Sequence, residues 1–216
     1  MCVVMVFGGG VALAANNSDF SQTINAGTLA ADILDGSRAD VASPAVAMSA
    51  ATFSFDCQAG GSASTGTFGS ATERIYVSNP DAADGGWNLT IAATGGATDS
   101  WTDGSNDFDF NDPAGSTAGC DDGVDTDSLP GQMTIDASAG TLTADCGSCV
   151  TTNVTKGSSA SFNEGTTDSI NILNAAAGSD DIWRGYLTGA GIEQTIPAET
   201  PASTFTLNLT LTATAI

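Results

Sequence analysis

The 216-residue chain has no histidine and only four basic side chains, Arg38, Arg74, Lys156 and Arg184. Without histidine it lacks the group best matched to proton transfer near neutral pH, and the commonest ligand for zinc or copper. Ser-His-Asp and Cys-His chemistries lose a participant, and one lysine leaves little room for Schiff-base chemistry. Four scattered cations against 25 acidic residues, a formal net charge of -21, also argue against nucleic acid, because phosphate binding needs clustered Lys and Arg. Long apolar runs are missing as well. The stretch Val3 to Ala15 is thirteen residues interrupted by three glycines, short of the roughly 20 that a membrane span needs. Paired carboxylates remain the one acid–base route, as in glycoside hydrolysis, but nothing in the sequence pairs two of them. Solvated surface acids are the simpler reading, and the chain reads as non-catalytic.

What is present is alternation. Trp87, Leu89 and Ile91 fall on one face of an extended segment and Asn88 and Thr90 on the other, the period-2 pattern of a half-buried strand. The pattern returns at Phe205, Leu207, Leu209 and Leu211, interleaved with Thr206, Asn208, Thr210 and Thr212, and the two strands are expected to face one another across a sandwich. Further strands are expected at 52–57, 73–78, 132–136, 141–144, 150–155, 159–162, 169–173, 182–188 and 192–196, with 73–78 forming a hairpin with the Trp87 strand. Turn residues between these runs and the near absence of helical periodicity predict an all-β fold, a β-sandwich or jelly roll of antiparallel strands with a long acidic Gly/Asp-rich loop over 99–127.

At the start of the chain, Val11-Ala12-Leu13-Ala14-Ala15 offers the small residues that end a secretory signal. Residues 1–15 are therefore expected to be a signal peptide cut near Ala14 or Ala15, residues 16–51 an N-terminal arm or first strands, and residues 52–216 the sandwich. The stretch from Phe20 to Leu34 fits either a first strand pair of the domain or an arm that adds a strand to a neighbouring subunit.

Two places resemble a known family. Trp87-Asn88-Leu89, after a strand and the Gly85-Gly86 turn, is similar to the proximal motif of WxL surface domains. Phe205 through Ala213, with Leu209-Thr210-Leu211 four residues after the aromatic, is similar to that family's distal motif, Leu211 standing where the family has a second Trp and Ala213 where it has a Leu. The resemblance covers roughly residues 73–216. It implies a secreted β-sandwich on a bacterial surface, attached non-covalently to cell wall peptidoglycan.

Within the acidic loop, Asp107, Asp109 and Asn111 place oxygens at alternate positions, like the first ligands of a calcium loop. The EF-hand pattern stops there, because Asp112 replaces the usual Gly and Ala118 the bidentate Glu. Asp103, Asp112, Asp121, Asp122, Asp125 and Asp127 can add carboxylates, so the loop is expected to be either an irregular structural Ca2+ site or simply solvated. Cys57, Cys120, Cys146 and Cys149 predict two disulfides in an exported chain, with Cys120 expected to bridge to the 146–149 turn. Trp87 is expected in the core, and Trp101, set among Asp and Gly, is the candidate for stacking on a ligand.

Two functions follow as expectations. The first is a secreted, non-catalytic surface protein that binds cell wall glycan or other surface proteins. The second is the subunit of a self-assembling fibre or surface layer in which the N-terminal arm completes a neighbour's sheet.

Overall fold

The computed structural model describes residues 21–25, 27–80, 85–123, 129–178 and 182–216. The expected signal peptide, Asp125 and Asp127 lie outside these. Among the described residues there are fourteen strands, two single-turn 3-10 helices and no α-helix. The strands are β1 (Ala30–Leu34), β2 (Ser64–Phe68), β3 (Arg74–Asn79), β4 (Trp87–Ala93), β5 (Trp101–Thr102), β6 (Asp107–Phe108) and β7 (Met133–Asp136). They continue with β8 (Thr141–Ala144), β9 (Val154–Lys156), β10 (Ala160–Ser161), β11 (Ser169–Ala175), β12 (Trp183–Thr188), β13 (Ala190–Gln194) and β14 (Leu209–Ala215). All the strand pairs are antiparallel.

Three four-stranded sheets have the orders β1-β3-β12-β8, β10-β7-β13-β2 and β14-β4-β11-β9, and β5-β6 forms a small ribbon. The first two sheets are halves of one folded surface. Strands β3, β12 and β8 of the first sheet continue along the chain into β2, β13 and β7 of the second, in the same lateral order. The bends lie side by side. Gly189, at φ 81°, separates β12 from β13 and donates its N–H to the carbonyl of Gly69, itself at φ 83°. A Cβ on Gly69 would come within 2.9 Å of Leu187 O, and one on Gly140 within 2.9 Å of Thr188 O. At Gly69 and Gly140 the backbones cross too closely for a side chain, and at Gly69 and Gly189 the left-handed φ favours glycine.

Alternation sorts the strands as expected. Strand β4 buries Trp87, Leu89, Ile91 and Ala93 and leaves Asn88, Thr90 and Ala92 half-buried. Strand β12 buries Trp183, Gly185 and Leu187. Trp87 and Trp183 meet with ring centroids 5.5 Å apart, joining the third sheet to the first. A bulge in β11 between Asn171 and Leu173 turns both Ile172 and Leu173 inward.

Several local expectations are corrected. Residues 52–57 form no strand: Phe53 and Phe55 stack edge-on against each other and are 48% and 77% exposed. The alternation there has no neighbouring strand to pair with. Strand β2, Ser-Thr-Gly-Thr-Phe, falls where no strand is expected. Strands β3 and β4 belong to different sheets and are not a hairpin. The Trp87 strand and the final strand do not face each other across an interior. They are hydrogen-bonded neighbours, with Leu211 opposite Ile91 and Ala213 opposite Leu89.

Candidate functional site

Strand β1 ends the first sheet and β14 ends the third, and no described strand pairs the outer edge of either. Between them runs an apolar groove whose floor includes Ile33, Ile91, Phe68 and Ile192. Its opposite wall is Leu207, which precedes β14, with Leu209 and Leu211 of β14. On β14 the apolar positions Leu209, Leu211 and Ala213 stay half-buried while the threonines between them are exposed. The motif residues thus divide. Trp87 and Leu89 are 1% and 0% exposed in the core, Leu209 and Leu211 line the groove, and Thr210 faces outward, its hydroxyl 2.7 Å from that of Thr94.

The described residues leading into β1 are mostly exposed. Residues 21–25, 27 and 28 are exposed, with Ile24 88% exposed. Gly27 N–H donates to Pro80 O at 3.4 Å, and Leu29 packs against the core. Of the 20–34 stretch, Ala30–Leu34 is an intramolecular edge strand, and the described residues 21–25, 27 and 28 before it are exposed.

Trp101 stands at the far end of the groove. It stacks on Phe108 with centroids 6.0 Å apart, and Phe108 meets Phe205 edge-on at 5.1 Å. Its indole N–H donates to Gln194 Oε1 at 2.9 Å. Gln194, 1% exposed, also donates from Nε2 to the carbonyls of Asp109 and Thr195 at 3.1 and 2.8 Å. This glutamine ties the acidic loop to β13. Nothing in the sequence marked it, since a lone glutamine in a strand has no spacing signature. One face of Trp101 is covered by Phe108 and its polar edge is engaged, which leaves the other face toward the cleft bounded by Phe53 and Phe205.

The acidic residues separate. Asp103 accepts from the backbone N–H groups of Ser105 and Asn106 at 2.8 and 2.7 Å. These bonds, led by the one from Asn106 and joined by side-chain bonds from Asn106 and Ser203, hold its carboxyl far below the usual range. Asp112, 2% exposed, accepts from Ala114 N at 2.9 Å and Gly123 N at 3.2 Å. Asn111, also buried, donates to Ala97 O at 2.8 Å. Asp109 is buried, whereas Asp107, Asp121 and Asp122 are exposed. Among the described residues no three His, Cys, Asp or Glu side chains converge as a metal cage. The carboxylate oxygens of Asp103 and Asp112 and the side-chain nitrogen of Asn111 are used to shape the loop.

The disulfides are Cys57–Cys120 and Cys146–Cys149. Cys120 thus bridges to the 50–58 segment, not to the 146–149 turn, whose two cysteines close on each other. Two disulfides indicate an oxidising, extracellular-type environment, and among the described residues no helix is long and apolar enough to cross a membrane.

On the outer face of the first sheet, Arg38 grips Asp145 with Nε and Nη2 at 2.8 and 3.3 Å, and Tyr76 donates its hydroxyl to the same carboxylate. The bonds from Arg38 and Tyr76 lower the Asp145 pKa, and burial with the Asp145 contact pushes Tyr76 up to about 12. Arg74 lies 4.3 Å over the Tyr186 ring. Arg184 Nε donates to Asp145 O at 2.9 Å, so three of the four cations make contacts on this sheet face. Compared with known proteins, the chain matches no family model, no curated protein and no solved structure.

Proposed function

We propose that the chain is an extracellular, non-catalytic β-sandwich subunit that assembles with copies of itself, the segment before β1 of one copy lying in the β1/β14 groove of the next. The observation that carries this reading is the pairing of an apolar groove beside the unpaired edge of β14 with an exposed segment of the same chain before β1. An added strand would satisfy open backbone groups on β14 and cover Leu207, Leu209 and Leu211, and an unpaired edge is the natural template for it. Ile24 is the anchor, because an isoleucine 88% exposed is misplaced in a monomer and suited to such a groove. Ile24→Asp in the full chain tests the proposal without touching the monomer's core. Electron microscopy and light scattering should show polymers for the unaltered chain and monomers for the variant. An unaltered chain that stays monomeric at high concentration, or a variant that assembles equally well, rules it out.

Association with cell wall peptidoglycan in the manner of WxL domains is the second reading, and the adjacency of β4 and β14 favours it. The two motif-bearing strands pair over Trp87–Ala93 and Leu209–Ala215, as two halves of one structural unit would. The buried Trp87 cannot serve as a sugar platform, so a wall glycan would use the Trp101 cleft. Incubation with purified sacculi checks this, and protein found wholly in the supernatant removes it. Calcium belongs to neither reading as a requirement.

A further inference from the structure

The two disulfides occupy opposite electrostatic settings. Cys57–Cys120 is flanked in sequence by Asp56, Asp121 and Asp122, and Asp121 lines the same surface recess as both of its cysteines. An approaching thiolate meets carboxylates there. Cys146–Cys149 follows Asp145, whose charge is taken up by Arg38 and by the Tyr76 hydroxyl. On the other side, Arg184 donates its backbone N–H to Cys149 Sγ at 3.4 Å, and its guanidinium Nε donates to Asp145 O at 2.9 Å. The loop tip, Gly147 and Ser148, is exposed, and a Cβ added at Gly147 would meet nothing within 4 Å. A neighbouring arginine, a hydrogen-bond donor on sulfur and an open approach are conditions that favour a thiolate at a Cys-x-x-Cys pair.

We propose that Cys146–Cys149 is a thiol–disulfide exchange site for small anionic thiols, while Cys57–Cys120 is the permanent cross-link. The external thiolate attacks Cys146 Sγ and forms a new S–S bond to it. The electron pair of the Cys146–Cys149 bond leaves on Cys149 Sγ, where the Arg184 N–H stabilises the thiolate, and the proton released in forming the attacking thiolate goes to solvent. If Cys149 is then protonated, its S–H has an acceptor in Ile182 O, 3.6 Å away. The external thiol is the reductant, and no other oxidant or reductant enters the step. Exchange leaves the sheets untouched, because Cys146 and Cys149 lie in the connection between β8 and β9.

The test is brief exposure of the native full chain to reduced glutathione, an anionic thiol, and in parallel to cysteamine, a cationic one. Each reaction is acid-quenched, alkylated and peptide-mapped. Glutathione should appear on Cys146, with alkylation on Cys149, at a rate about tenfold or more above reaction at Cys57–Cys120. Cysteamine should narrow that ratio, since the carboxylates around Cys57–Cys120 attract it; a purely structural disulfide pair would show no such dependence on the thiol's charge. Arg184→Gln keeps the backbone donor but removes the cation, and should slow glutathione exchange while leaving the cysteamine rate less affected. The proposal is overturned by equal rates at the two disulfides, by the first adduct on Cys149, by an unchanged ratio with cysteamine, or by no exchange at either pair.

Discussion

Strands β4 and β14 are neighbours with the same alternating pattern, yet they end in different surroundings. On β4 every second residue is sealed, with Trp87 against Trp183. On β14 the equivalent apolar positions are only half-buried. The difference comes from position in the sheet. Strand β4 lies between β14 and β11, and its Trp meets a large side chain from β12. Strand β14 has a neighbour on one side only, and across from it stands another edge strand, β1. Alternation states which face of a strand is apolar; it does not state that a partner exists to cover it.

The largest test of this contrast is truncation at each end. Trp87→Ala should destabilise the monomer by about 3–5 kcal/mol, because a closed interior cannot collapse around so large a void. Leu211→Ala should cost about 1 kcal/mol, well under the full-burial penalty, because that side chain still meets solvent. Chemical denaturation of both variants measures the pair, and equal losses would mean the groove is closed in solution. Next in size is filling the groove. A peptide of residues 16–29, added to the Ile24→Asp chain at 100 times its Kd, should raise stability by about 2.7 kcal/mol through mass action. The same peptide carrying the Asp should leave the melting curve unchanged.

How much of this was legible in the sequence divides along the same line. Strands β4, β7 and β12 were readable because their covered faces keep a strict alternation, and β3 and β11 because their apolar runs are long enough to survive local breaks in it. The 52–57 segment carried the same signal without a neighbouring strand, and β2 carried almost none because its small residues pair by backbone alone with β13. Folding one surface into two sheets at Gly69, Gly140 and Gly189 was invisible, since Gly69 and Gly140 are required by a chain distant in sequence, the 187–188 backbone. The cysteine count gave two disulfides but not their pairing, which depends on where the acidic loop returns. At the candidate site, Leu209 and Leu211 were named as motif residues, whereas the groove they line depends on β1 and on Phe68, and the Gln194 tie on Trp101 has no local pattern.

The smallest effect concerns the edge of the groove and its dependence on pH. Arg38 follows β1 and reaches across the first sheet to Asp145, beyond β8, so this contact pins the β1 rim. Asp145 has a lowered pKa in the folded state, so the folded chain binds fewer protons than the unfolded chain in acid. Its contribution is fully present above the unfolded carboxylate pKa of about 3.9 and is lost as pH falls through the folded value. Tyr76, raised to about 12, acts in the opposite range. The folded chain keeps a proton that the unfolded chain releases near pH 10, so stability declines as pH rises from about 10 toward 12. Amide hydrogen exchange should therefore quicken at β1 below about pH 4, while β4, behind the Trp87–Trp183 contact, stays protected. Asp145→Asn should bring the fast β1 exchange to neutral pH. If β1 and β4 loosen together in acid, the Arg38–Asp145 contact braces the whole sheet, and the contrast between sealed interior and open edge does not extend to their stability.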